Sequence, residues 1–291
     1  MKQILLIGKN GQLGQELQPF LASMGSLVSV GRDTLDLSQT QEIERLIEEI
    51  KPEWVINAAA YTAVDKAESE PELALKINGI APGILAKSCQ KLDATLIHIS
   101  TDYVFDGTQS HPYLETDPTH PLGVYGESKL LGEMAIQASQ AKFAILRTAW
   151  VYGVGGTGNF VKTMLRLGKE REEIRVVSDQ VGSPTWTGDL AQSIVQLMPL
   201  LNDQNYGIYH CTNSGVTSWY DFAIAIFEEA QLLGFPLKIE RVIPITTSEY
   251  PTPATRPAYS VLSGKKLANI VGNHTPQWRQ GLRKMLQQLK P

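Results

Sequence analysis

Tyr125 and Lys129 stand four residues apart in the run Tyr125-Gly126-Glu127-Ser128-Lys129. On a helix, positions i and i+4 share a face, so this spacing lets a phenol and an ammonium act on one substrate. A free tyrosine loses its proton only near pH ~10; a cation held beside it favours the phenolate and draws that value toward neutrality. The pair is a candidate for acid–base work on a substrate oxygen. Y-x-x-x-K by itself is a short pattern, and its weight comes from its company.

The first companion is a glycine loop. The apolar run Gln3-Ile4-Leu5-Leu6-Ile7 leads straight into Gly8-Lys9-Asn10-Gly11-Gln12-Leu13-Gly14, and a helical pattern follows from Gln15 toward Met24. Strand, glycine turn and helix in that order are the context a dinucleotide site requires. Gly8 makes the tight turn, Gly11 lets backbone approach a pyrophosphate, and Gly14 lets helix lie on strand. Asn10, Gln12 and Leu13 fill the loop, and the helix N-terminus offers free N–H groups to the phosphates. The spacing is G-x-x-G-x-x-G rather than the commoner G-x-G-x-x-G. At the end of the second apolar run the chain reads Val30-Gly31-Arg32. No carboxylate stands there for a ribose hydroxyl, whereas a guanidinium suits a 2′-phosphate, so the expected cofactor is NADPH before NADH. Asp33 follows directly and leaves use of NADH open.

These groups need a scaffold, and the first half of the chain supplies one by alternating strand-like with helix-like segments, the pattern of a parallel sheet covered on both faces. Strands are expected at Gln3–Gly8, Leu27–Gly31, Trp54–Ala60, Thr95–Thr101 and Ala144–Trp150. Helices are expected at Gly14–Met24, Ser38–Ile50, Pro71–Leu92 and Gly123–Gln137. Ile43, Leu46, Ile47 and Ile50 form a one-sided stripe for the sheet, and Pro52 closes that helix. Ala60-Tyr61-Thr62 and Thr101 then fall at carboxyl ends of strands, where such sheets place ligands. After Trp150 regularity breaks: Tyr152–Phe160 is glycine-rich, Ser183-Pro184-Thr185 and the Pro244–Pro257 region are loops, and Thr187–Leu200 and Trp219–Leu233 read as amphipathic helices. The fold class is α/β, a doubly wound parallel sheet over residues 1–150 with a smaller, interleaved part over 151–291.

Composition narrows the rest. With 291 residues the chain can bury a large core. Its 43% hydrophobic and 19% charged content is ordinary for a soluble protein. A net charge of −4, with no basic cluster, speaks against nucleic acid. No apolar run approaches the ~20 residues of a membrane span. Met1-Lys2-Gln3-Ile4 enters the first strand at once and leaves no room for a signal segment, so a cytoplasmic location is expected. Cys89 and Cys211 form no C-x-x-C and read as small buried residues. His98, His111, His120, His210 and His274 show no ligand spacing and read as structural or surface residues.

The glycine loop and the tyrosine–lysine pair, at this separation and in this order, resemble the extended, nucleotide-sugar-modifying type of the short-chain dehydrogenase/reductase family. Further runs resemble its dTDP-4-dehydrorhamnose reductase branch over nearly the whole chain: Asn57–Glu68, Ser100–Gly107, Arg147–Tyr152, Thr163–Leu167 and Tyr250–Pro257. The resemblance implies a Rossmann-like nucleotide domain to which segments of about 185–235 partly return, and a lid-like substrate domain. It implies NADPH-dependent reduction of the C4 ketone of a dTDP-4-dehydro sugar, with Thr101, Tyr125 and Lys129 as the proton-transfer set. Lys129 would also bind the nucleotide ribose, and Asn78 would support Lys129 through a relay. Asp36 and Leu37 would meet the adenine, and Ala60, Tyr61 and Thr62 the pyrophosphate and ribose. Asp102 and Trp150 would meet the substrate. Trp150 offers a face for stacking, a buried core position being the alternative. Arg256 would pair bidentately with the diphosphate, a surface ion pair being the alternative. Mg²⁺ is associated with some members; no spacing here defines ligands for it. A monomer or homodimer is expected.

The same scaffold hosts other reactions. Dehydratases of the extended type carry Thr-Asp-Glu, whose glutamate removes a proton; here Tyr103 follows Thr101-Asp102 and cannot do so at neutral pH. An epimerase, which recycles bound cofactor, ranks below a reductase. From another class comes a non-catalytic relative, the regulatory subunit of methionine adenosyltransferase, against which the intact Thr101, Tyr125 and Lys129 argue.

Overall fold

A computed structural model describes residues 2–290 of the chain. Five of its strands run β1 (Gln3–Ile7), β2 (Ser26–Val30), β3 (Trp54–Asn57), β4 (Thr95–Thr101) and β5 (Lys142–Thr148), and a sixth, Gly207–His210, joins the same sheet. The order across it is Gly207–His210, β5, β4, β3, β1, β2, with every pairing parallel. β1, β3 and β4 are buried along almost their whole length, as expected of strands covered on both faces.

Two apolar layers do the covering. On one face Leu17 and Leu21 of helix α1 (Gln12–Met24) meet Leu190, Ile194 and Leu197 of the helix Thr187–Leu197 over Ile4, Leu6 and Ile97. On the other, Ile43 and Ile47 of α2 (Thr40–Ile50) join Leu85 and Cys89 over Leu5, Val55 and Leu96. A third cluster lies in the C-terminal half, where Phe222, Ile226 and Phe227 meet Trp186, Trp278, Leu282 and Met285. So Thr187–Leu197 and Gly207–His210 serve the sheet, while Trp219–Leu232 serves the other cluster.

The sheet departs from the sequence expectation in one strand. Gly207-Ile208-Tyr209-His210 is only four residues long and shows no alternation, yet it pairs with Ala144–Arg147. The helix expected over Pro71–Leu92 is interrupted: α-helical Pro71–Leu75 and Ala81–Lys91 flank a π-helical turn at Lys76–Ile80. Such a turn inserts one extra residue and re-aims a side chain, here Asn78, and it leaves the apolar spacing nearly unchanged.

β1 lies between β2 on one side and β3 on the other, so the connection leaving β1 runs to one side, to β2, and the one leaving β3 runs to the other, to β4. That reversal opens a crevice above the carboxyl ends of the strands, where α/β sheets hold their ligands.

Candidate functional site

Into this crevice opens a cavity of about 670 Å³, within the range of ligand pockets. One end is lined by Gly8, Asn10, Gly11, Gln12 and Leu13 from the glycine loop and by Gly31 and Arg32 beyond β2. Thr101, Asp102, Tyr103, Tyr125, Lys129 and Trp150 line the other end, and Ala58, Ala59, Ala60 and Thr62 lie between.

The glycine end is built for close approach. Gly8 has φ +95°, and a Cβ on it would sit 2.8 Å from the Ala59 nitrogen. At Gly14 a Cβ would fall 2.0 Å from the Gly8 carbonyl oxygen, so this glycine sets the distance of α1 from β1 rather than touching the cavity. A Cβ at Gly11 would meet only the Gly8 oxygen at 3.4 Å, which leaves its open side to the crevice. Helix α1 starts after Gly11 with no side-chain cap and no acid in its first turn. Its free N–H groups and positive dipole end therefore face the cavity, and an anionic diphosphate fits them. Arg32 stands on the rim with its side chain 77% exposed; its Nε lies 3.3 Å from the Asp36 carboxylate. Asp36 also accepts from the Ser38 amide, which holds its carboxyl below the usual range.

At the other end three elements converge. Thr101 closes β4, Asp102 begins a short 3-10 turn, and Tyr125 and Lys129 come from the helix Val124–Ala138. That helix is locked to the sheet beneath by Glu133, whose buried carboxylate takes 2.7 and 3.0 Å bonds from Arg147 of β5 and a 2.5 Å bond from Ser100 of β4. Burial pushes the Tyr125 phenol up to about 12, although the Thr101 hydroxyl lowers it. It is thus a proton donor throughout the physiological range. Thr101 donates to Asp102 Oδ1 at 3.0 Å. Asp102 is 2% exposed, burial lifts its carboxyl to about 6, and its Oδ2 has no hydrogen-bond partner. Tyr103 stands edge-on to Tyr125 with ring centroids 5.4 Å apart, and burial raises its phenol beyond any use as a base.

Lys129 is turned away from Tyr125. Its Nζ donates to the Ile99 carbonyl at 2.6 Å and lies 3.2 Å from Nε2 of His98, and burial lowers its ammonium to about 8. The cation expected to depress the tyrosine proton affinity therefore does not do so in this conformation. Asn78 does not touch the lysine either. Its Oδ1 accepts from the Tyr61 amide at 2.9 Å, and its Nδ2 donates to the Tyr61 carbonyl and to Ser128 Oγ at 3.0 and 3.1 Å. Both amide hydrogens are spent, so Asn78 ties the loop after β3 to the Lys129 helix.

Several expected residues sit elsewhere. Leu37 is buried in the core beside α2, and neither it nor Asp36 lines the cavity. Tyr61 turns its hydroxyl to Glu70 at 2.7 Å. Arg256 is held bidentately by Asp65 at 2.8 and 3.0 Å and stands outside the cavity lining. Trp150 does line the cavity, at the unusual φ of +49°, but its ring is stacked on Trp219 with centroids 3.5 Å apart and planes at 6°. That face is not free to stack on a ligand.

Sequence reading missed other lining residues: Thr148, Ala149 and the loop Gly156-Thr157-Gly158-Asn159. Asn159 caps the helix Phe160–Glu170 and also donates to Gln12 Oε1 at 2.7 Å, joining this loop to the glycine loop. An asparagine just before an amphipathic helix was the available signal. His98, read as structural or surface, touches Lys129. Among the described residues no three His, Cys, Asp or Glu side chains gather to hold a metal ion, so the Mg²⁺ of the resemblance has no such cluster here. Among them, too, no helix is long and apolar enough to cross a membrane.

The chain is similar to known proteins over nearly its whole length. A family model described as "RmlD substrate binding domain" matches residues 1–290. The chain is 45% identical to the dTDP-4-dehydrorhamnose reductase of Burkholderia thailandensis, over 95% of each chain. It is 46% identical to the enzyme of that name in Escherichia coli K12, over 98% of this chain and 97% of the other. The crystal structure of the Bacillus anthracis dTDP-4-dehydrorhamnose reductase in complex with NADP superposes with a TM-score of 0.91 at 40% identity, over 99% of this chain and 100% of that one.

Proposed function

The chain belongs to the RmlD substrate binding domain family, and on that premise we propose that it reduces the C4 ketone of dTDP-4-dehydro-L-rhamnose to dTDP-L-rhamnose with NADPH. The observation that carries this reading is that Thr101, Tyr125 and Lys129 all line one cavity whose other end is the glycine loop. The division of labour follows the sheet. Residues 1–150, with Thr187–Leu197 and Gly207–His210 returning to them, hold the nucleotide, and the C-terminal cluster closes over the sugar.

NADPH, when bound, supplies a hydride to the ketone carbon. Gly8, Gly11 and the uncapped start of α1 hold the diphosphate, Arg32 the 2′-phosphate, and Ala60 and Thr62 the nearer ribose. As negative charge grows on the ketone oxygen, Tyr125 gives it a proton, and Thr101, its hydroxyl turned from Asp102 Oδ1, donates a hydrogen bond to that oxygen. Donors fixed in advance toward developing charge are the large catalytic term. Lys129, swung from Ile99 toward the cavity, brings its charge to the tyrosinate left behind and reaches the ribose hydroxyls. Asp102 Oδ2 accepts a sugar hydroxyl. An elimination would need a carboxylate where Tyr103 stands. A site of this completeness has no use in a regulatory subunit. A cytoplasmic location, a dTDP-sugar as substrate and a monomeric or homodimeric state complete the proposal.

Adding the keto sugar to protein and NADPH should cause loss of nicotinamide absorbance, with dTDP-L-rhamnose as product. Absorbance that holds steady under conditions where the protein is folded would overturn the proposal.

Two further results are expected. Arg32→Ala should raise the Michaelis constant for NADPH roughly tenfold or more and leave that for NADH almost unchanged, because a charge-assisted bond worth roughly 1.5–3 kcal/mol exists only with the 2′-phosphate. Equal effects on both cofactors would remove Arg32 from phosphate recognition. Second, kcat/KM for the sugar should fall as pH drops through about 6, where Asp102 gains a proton and ceases to be a pure acceptor. Asp102→Asn should abolish that acid limb; a limb that persists in the variant belongs to another group.

A further inference from the structure

His98 is fully buried beneath the cavity on β4, and no step described above uses it. Its two ring nitrogens have different neighbours. Nδ1 lies 3.1 Å from Nδ2 of Asn57, and Nε2 lies 3.2 Å from Nζ of Lys129. The orientation of Asn57 is itself fixed, because its Oδ1 accepts from the Ala59 backbone amide at 3.2 Å. A flipped amide would set its NH₂ against that N–H, donor against donor. Asn57 therefore donates to Nδ1, and a ring nitrogen that accepts carries no hydrogen. In the neutral ring the proton must then sit on Nε2, facing the lysine.

The consequence for Lys129 follows from counting. A neutral amine has two hydrogens and one lone pair: one hydrogen serves the Ile99 carbonyl, and the lone pair accepts from His98 Nε2–H. An ammonium has three hydrogens and no lone pair. It can keep the Ile99 bond but meets Nε2–H as donor against donor. Charging the lysine must either break the chain Ala59–Asn57–His98 or move Nζ out toward the cavity.

We infer that His98 is a positioning residue whose ring, oriented by Asn57, holds the uncharged amine of Lys129 inward and releases the ammonium toward the cavity. This gives the lysine two places tied to its charge. The inward place is neutral and remote from Tyr125; the outward place is charged and meets the reacting groups. The inference rests on the proposed roles of Tyr125 and Lys129 only for its catalytic meaning, not for the hydrogen-bond pattern. Burial draws the Lys129 ammonium down to about 8. Of the other groups around the lysine, Glu133 favours its charge but is engaged by Arg147 and Ser100. Tyr125 and Asp102 titrate near 12 and 6, far from this window. His98 stays neutral, since burial and the neighbouring lysine both lower its proton affinity.

The test needs no turnover. NMR of the protein with isotope-labelled lysine should show Lys129 titrating near 8, and in His98→Gln the midpoint should rise by roughly one pH unit, because the glutamine amide oxygen can accept from an ammonium. A midpoint that stays in place overturns the inference. Should the variant fail to fold, isotope-labelled histidine in the unaltered protein decides the matter: a ring protonated at Nε2 supports it, and one protonated at Nδ1 refutes it. Absence of reductase activity would leave both readouts untouched, so the two readings fail separately.

Discussion

Tyr125→Phe should leave NADPH affinity nearly unchanged and lower turnover by about 10²–10⁴-fold, the usual worth of a positioned acid. The phenol is pushed up to about 12 and stays protonated, so the wild-type residue always has a proton to give. Phenylalanine keeps the ring and its edge-on contact with Tyr103 and removes only the hydroxyl. Folding should therefore survive, and measurement of kcat beside the dissociation constant for NADPH separates chemistry from binding. Turnover within a few-fold of the unaltered protein would take Tyr125 out of the mechanism.

Gly14→Ala should weaken NADPH binding by about 10²-fold, for a reason lying in the backbone. Its Cβ would fall 2.0 Å from the Gly8 carbonyl oxygen. Gly8 cannot retreat, since it is pressed against the backbone of Ala58 and Ala59 on β3's end. Helix α1 must then lift from β1, at a cost typical of overpacking, about 1–3 kcal/mol of stability. The N–H groups that face the diphosphate move with it, and a displacement near 1 Å of positioning groups can cost ~10²-fold. Gly264→Ala is the control: nothing lies within 4 Å of its added Cβ. Titration of each variant with NADPH checks the expectation, and an alanine at position 14 that binds as the glycine does would contradict the cradle described here.

What the sequence disclosed was local, and what it hid was distant. The glycine loop announces itself because turn, close approach and helix contact all fall within seven neighbouring residues. Tyr125 and Lys129 are legible because helical spacing alone puts them on one face. Thr101 could be found from its place at a strand end. The contact of Lys129 with His98 spans 31 residues and two elements, and nothing near His98 in the chain marks it. Asn78 was placed behind Lys129 only by the resemblance, and its direct hydrogen bonds, set by the π-helical turn at Lys76–Ile80, run to the Tyr61 backbone and Ser128. Arg256 and Trp150 were read by what their chemistry can do. Their partners Asp65 and Trp219 come from far along the chain and engage the groups that were expected to meet ligand. The strand Gly207–His210 escaped notice because four residues give too short a run for period or composition to speak.

The central claim is a net reduction in which hydride leaves the nicotinamide and stays on the sugar. Its most direct test is reaction of dTDP-4-dehydro-L-rhamnose with NADPH carrying deuterium at the transferable position of the nicotinamide. The account predicts one deuterium at C4 of each dTDP-L-rhamnose formed and one oxidised cofactor for each product molecule. An epimerase or dehydratase returns its hydride and turns over without net oxidation of cofactor. A product free of deuterium, or formed while the reduced cofactor persists, would contradict the account.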